Sequence, residues 1–144
     1  MCSSDLGATV TLNAGKVRDI PKAIQDISGG GAHMSIDALG STVTCRNSIL
    51  CLRKRGRHVQ VGLMVGDDSE PSLPMGPVIG RELELFGSHG MQAHRYPEML
   101  QMIVSGKLRP EMLLGKTVSL EESLRELETM GNFGATGITV IDRF

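Results

Sequence analysis

The sequence predicts an α/β fold, a parallel sheet with helices on both faces. Two observations carry this. Runs with apolar residues at alternate positions take turns with helical apolar stripes along most of the 144 residues, and that alternation sets strands side by side through crossover helices. The stretch from Ala32 to Gly66, AHMSIDALGSTVTCRNSILCLRKRGRHVQVGLMVG, reads as strand, turn, helix and strand. A unit of that kind has parallel pairing and a right-handed crossover.

In chain order, residues 1–6 (MCSSDL) carry no pattern leading into Gly7 and are expected to be a non-native tail on an N-terminally shortened chain. Gly7 to Asn13 is β-branched and predicts an edge strand. Asp19 can cap a helix with Pro21 in its first turn, and Ile20, Ala23, Ile24 and Ile27 share one face until Gly29-Gly30-Gly31 stops it. His33 to Asp37 is a strand that breaks at Ala38-Leu39-Gly40. From Ser41 a helix is predicted, with Cys45, Ile49 and Leu52 on its core stripe, Arg53, Lys54 and Arg55 in its last turn, and Gly56 as a left-handed cap. His58 to Val65 then forms a strand apolar enough for burial on both faces.

The segment from Asp67 to Pro77 is polar and holds Pro71, Pro74 and Pro77, so a loop with at most a short helical turn is predicted. Glu82 to Phe86 alternates and enters the small-residue turn Gly87-Ser88-His89-Gly90. Tyr96, Met99, Leu100 and Ile103 make a helical stripe with Pro97 near its start and Gly106 near its end. Ser119 and Glu122 have capping-box spacing ahead of Leu120, Leu124, Leu127 and Met130, and Gly137 to Ile141 is a closing strand.

Charge is balanced, with 15 basic and 16 acidic residues, and one Tyr and three Phe offer little for base stacking, so a nucleic-acid partner is not expected. No apolar run reaches the roughly 20 residues of a membrane span. Three cysteines without paired spacing fit a reducing compartment, and the expectation is a cytoplasmic protein.

Three strands end in small-residue turns: Asp37-Ala38-Leu39-Gly40, Val61-Gly62-Leu63 and Gly87-Ser88-His89-Gly90. In an open parallel sheet these carboxyl ends share one edge, where ligands bind. Small side chains let a flat ligand reach backbone N–H and C=O groups. A local metal site is not expected. Cys45 and Cys51 stand six residues apart on one helix and about 240° around its axis, and His89 and His94 have no neighbouring Cys. The methionines read as core filler and Arg53 to Arg55 as a solvated helix end.

The chain resembles the C-terminal half of the medium-chain dehydrogenase/reductase family, the zinc-type alcohol dehydrogenases. The resemblance rests on Leu6-Gly7-Ala8-Thr9, on Ser28-Gly29-Gly30-Gly31 before His33 to Gly40, and on Leu52 to Leu63. It continues through Glu82 to Met91, Ser105-Gly106-Lys107-Leu108 and Val118 to Ser123. It implies a partial Rossmann coenzyme-binding domain over residues 7–108 and a segment over 109–144 that returns to pack on a catalytic domain. Cofactor-binding roles follow for Ala38 and Leu39 beside the adenosine half, for Val61, Gly62 and Leu63 at the nicotinamide carboxamide, and for Gly87, Ser88 and His89 beside the nicotinamide or its ribose. The implied coenzyme is NAD or NADP, and zinc is implied only in an N-terminal domain that these residues do not include. The implied partners are a small alcohol or aldehyde substrate and, at full length, further copies of the chain through the Glu82 to Phe86 strand.

No G-x-G-x-x-G fingerprint stands in these residues, so the loop that would hold the pyrophosphate is absent from them and no catalytic residue is assigned. The resemblance therefore implies a coenzyme-binding half that is inactive alone. Zinc-independent enoyl or quinone reductases of the same family, or a non-enzymatic nucleotide-binding fragment, are the alternatives.

Overall fold

A computed structural model describes residues 6–132 and 137–144. All of the expected tail except Leu6 lies outside the described residues. Two compact units are present, one over residues 12–90 and one combining the N-terminal residues to Thr11 with 91–144.

In the first unit the elements are α1 (Ile20–Ile27), β1 (Ala32–Asp37), α2 (Thr42–Leu50), β2 (Leu52–Gln60), α3 (Met75–Gly80) and β3 (Glu84–Gly87). The strands form one sheet in the order β1-β2-β3, all parallel, which is the expected α/β architecture. Asp19 caps α1 by accepting from the Lys22 N–H at 3.0 Å, as its position ahead of Pro21 predicts. Cys45 and Ile49 are buried on the predicted helical stripe, and Leu52, expected on the same stripe, is buried as the first residue of β2. Among the described residues no helix is long and apolar enough to cross a membrane.

Three local expectations are corrected. Gly7 to Asn13 forms no strand, because a β-branched run needs a neighbouring strand to satisfy its backbone and none pairs with it. The second helix stops at Leu50, and β2 begins at Leu52 and ends at Gln60. Carbonyls at the junction of helix and strand are satisfied from far away in sequence: Gln25 Nε2 donates to Leu50 O at 2.9 Å, and Arg81 Nη1 donates to Leu50 O and Leu52 O, both at 2.9 Å. Arg53 to Arg55 therefore belong to the strand. The pairing jumps from Ala32 opposite Leu52 to Met34 opposite Arg57, so β2 accommodates extra residues as a bulge. The left-handed residue there is Arg55, at φ 59°, rather than Gly56.

In the other unit, α4 (Tyr96–Val104), β4 (Leu114–Ser119), α5 (Leu120–Thr129) and β5 (Ile138–Arg143) follow. β4 and β5 pair in parallel as a separate sheet, and β4 has no counterpart in the sequence reading. The predicted capping box is present. Ser119 Oγ accepts from the Glu122 N–H, and Glu122 Oε2 accepts from the Ser119 N–H at 2.8 Å. Val118 is buried, while Leu120, Leu124, Leu127 and Met130 are exposed.

Candidate functional site

Register brings the three strand ends together. Asp37 stands opposite Gln60, and Gln60 stands opposite Gly87, so residues 38–40, 61–63 and 87–89 all leave the sheet at its carboxyl edge. Ala38, Leu39, Val61, Leu63, Gly87, Ser88 and His89 are exposed there, and Gly62 is half-buried.

The first two turns meet backbone to backbone. A Cβ on Gly62 would lie 2.3 Å from Gly40 N, 2.6 Å from Leu39 C and 2.8 Å from Ala38 C. A Cβ on Gly40, whose φ is 84°, would lie 2.4 Å from Leu63 O. Glycine is required at both positions by the closeness of approach, and at Gly40 by backbone conformation as well. The contact is held by the carbonyl of Asp37, which accepts from the N–H groups of Val61 and Gly62 at 2.9 and 2.8 Å. Gly87 differs, since a Cβ there would meet nothing within 4 Å. The third turn opens onto space and is tied to the second strand by Ser88 N–H donating to Gln60 O at 2.9 Å.

Beneath these turns lies a buried polar chain. Asp37 is 4% exposed and His58 3% exposed. The Asp37 carboxylate accepts at Oδ1 from the N–H groups of Leu39 (3.0 Å) and Gly40 (3.2 Å), and at Oδ2 from Gln60 Nε2 (2.9 Å). Burial pushes its pKa up, but the bonds from Gln60, Leu39, Gly40 and Thr44 outweigh burial, and the group is held below the usual aspartate value. Gln60 Nε2 also donates to Gly62 O at 2.9 Å, and Gln60 Oε1 lies 3.2 Å from His58 Nε2. His58 Nδ1 is 3.0 Å from Ser48 Oγ, which anchors the chain to α2. No buried side-chain polar atom among the described residues lacks a partner.

The amino end of α2, beside the first turn, is already capped. The Thr42 N–H donates to Asp68 Oδ1 at 2.7 Å, and the Thr44 N–H donates to Ser41 Oγ at 3.2 Å. The helix dipole there is met by the chain's own side chains.

Gln60 and His58 escaped the sequence reading, in which they were alternate members of an apolar strand. Their signal is polar residues at period two, in register with a strand-terminal aspartate. Among the described residues no three His, Cys, Asp or Glu side chains come together as a metal-binding group.

A family model described as zinc-binding dehydrogenase matches residues 1–105. The D-arabitol-phosphate dehydrogenase of Enterococcus avium is 30% identical over 122 residues, covering 81% of this chain and 33% of that protein. The NAD-dependent alcohol dehydrogenase of Sulfurisphaera tokodaii is 27% identical over 135 residues, covering 94% of this chain and 38% of that protein. The chain thus spans about a third of the length of the curated relatives it matches. Among solved structures, an NAD-dependent alcohol dehydrogenase superposes with a TM-score of 0.83 at 25% identity, over 99% of this chain and 40% of that one. Benzyl alcohol dehydrogenase from Acinetobacter calcoaceticus, at 19% identity and a TM-score of 0.82, covers 97% of this chain and 39% of its own and shares the fold.

Proposed function

The chain belongs to the zinc-binding dehydrogenase family, and we propose that it forms the coenzyme-binding part of an NAD(P)-dependent oxidoreductase that moves hydride between an alcohol and its carbonyl product. The observation that carries this reading is the shared edge. Three turns of small residues open side by side at the carboxyl ends of parallel strands, where α/β sheets bind nucleotides. The relatives named for alcohols and polyols support the substrate class.

The residues present fit a flat, amide-bearing ligand. Gly62 and Gly40 let the backbone of the first two turns form the floor of the crevice, and Gly87 leaves its side open. The N–H groups of Val61 and Gly62 are committed to Asp37 O, and Gly62 O already accepts from Gln60. The carbonyls of Val61 and Leu63 are therefore the acceptors offered to a carboxamide NH₂. Leu39, 64% exposed, would give apolar cover for the adenosine half, and Ser88 and His89, exposed at the same edge, would make the ribose contacts. Bound at this edge, the nicotinamide supplies the hydride acceptor and donor, and the protein supplies orientation.

These 144 residues hold no G-x-G-x-x-G fingerprint, and among the described residues no His, Cys, Asp or Glu group is built to hold a metal, so neither the pyrophosphate nor a zinc is assigned to them and NAD against NADP is left open. In the full-length protein β3, an outer strand of its sheet, is where two copies would continue one sheet.

The test is a titration of the chain with NADH and NADPH, read by coenzyme fluorescence and calorimetry. Saturable binding with Kd below about 1 mM supports the reading. No binding by a chain whose circular dichroism shows the α/β fold contradicts it.

A further inference from the structure

We propose that Gln60 is a positioning residue that locks the three strand-end turns into one rigid edge. The inference rests on the coenzyme reading only for its consequence in binding. The locking itself concerns this chain alone.

Gln60 is the one side chain in the cluster that reaches both of the closely packed turns. Its Nε2 donates to the Asp37 carboxylate and to the Gly62 carbonyl, each at 2.9 Å. The same carboxylate holds the Leu39 and Gly40 N–H groups, so one amide nitrogen bridges the first turn to the second. The backbone of Gln60 reaches the third turn, through its carbonyl and the Ser88 N–H. Its Oε1 accepts from His58, which Ser48 ties to α2. An acceptor-only side chain at position 60 would face a carboxylate and a carbonyl with nothing to donate. An apolar one would leave Asp37 Oδ2 and Gly62 O without this donor. The amide is thus the group the geometry calls for, and glutamate of the same shape is not a substitute.

Two variants and a swap separate this from a bland contribution to packing. In Gln60→Leu the amide hydrogens of Leu39, Gly40, Val61 and Gly62 should exchange at least about tenfold faster than in the parent. Amides further from Gln60, in Ala32 and Arg55, which donate to Cys51 O and Arg81 O, should stay close to their original rates. That local pattern marks loss of positioning, because global destabilisation accelerates protected amides together. In Gln60→Glu the two carboxylates confront each other and the same amides lose protection. Adding Asp37→Asn exchanges the two groups, amide for carboxylate. The nitrogen of the amide introduced at position 37 can donate to the carboxylate introduced at position 60, while its oxygen still accepts from Leu39 and Gly40. The double variant should therefore regain protection at Leu39 and Gly40, relative to Gln60→Glu alone. Uniform acceleration, unchanged exchange, or a double variant worse than either single one overturns the proposal. NADH titration of the same variants gives the separate arm. Affinity weakened about tenfold in Gln60→Leu extends the lock to coenzyme binding. A parent chain that binds no NADH but shows the local exchange pattern refutes the coenzyme reading and leaves the lock standing.

Discussion

Gly62→Ala is the sharpest perturbation of the site. The added methyl would sit 2.3 Å from Gly40 N and under 3.0 Å from two further backbone atoms of the first turn. Every one of these neighbours is main chain, so no rotamer change relieves the clash. β1 and β2 must part at their carboxyl ends by several tenths of an ångström. That movement stretches the bonds from Val61 and Gly62 to Asp37 O and the Gln60 to Asp37 bond. Overpacking of a closely packed interior costs about 1–3 kcal/mol. Three weakened hydrogen bonds add about 0.5–1.5 kcal/mol each, and a loss of roughly 2.5–7.5 kcal/mol is expected. For a domain stable by about 5–15 kcal/mol this is a large fraction. Urea unfolding followed by circular dichroism reads it as a lower midpoint at unchanged slope. Gly87→Ala, where a Cβ meets open space, is the control and should shift stability by less than about 0.5 kcal/mol. Equal midpoints for Gly62→Ala and the parent would refute the backbone contact between the turns.

Three further outcomes are expected. Asp37 has a pKa below its unfolded value of about 3.9, so its stabilisation is present above that pH and lost as pH falls through the folded value. Asp37→Asn should lower stability at pH 7 and flatten the acid limb of the stability profile, while Asp68 and Glu122, also lowered, keep part of it; an unchanged limb counts against this. Arg81→Ala leaves Leu52 O without its guanidinium donor and Leu50 O with Gln25 alone, at a cost of about 1–3 kcal/mol in urea unfolding, and a change indistinguishable from zero would show that these carbonyls are satisfied otherwise. Burial pushes the thiols of Cys45 and Cys51 up, with the Asp37 charge adding to the effect at Cys45. In a Cys2→Ser background both should therefore react with a thiol reagent at pH 8 only as the chain unfolds, and prompt labelling of the folded protein would contradict their burial.

What could be read from sequence was local. The cap and proline of α1 and the capping box of α5 announce helix starts through contacts within four residues, and both helices begin where those signals place them. The α/β order followed from the same kind of periodicity. What could not be read depends on distant partners. The end of α2 is set by Gln25 and Arg81, and no local cation pattern reports them. β4 exists because β5 pairs with it across α5, and Gly7 to Asn13 stays irregular because nothing pairs with it. At the site, the glycine turns were visible as glycines, and register brought them to one edge. The lock beneath them was hidden, because nothing in the run His58 to Val65 sets Gln60 apart until Asp37 is known to stand opposite.

The central claim is that the carboxyl edge of this sheet receives a nicotinamide coenzyme. The most direct measurement is a titration of the isotope-labelled chain with NADH, following backbone amide resonances. Saturable shifts are expected at residues 38–40, 61–63 and 87–89, with the Ala32 and Arg55 amides, further from that edge, undisturbed. Shifts confined to other surfaces, or none at millimolar coenzyme, would contradict it.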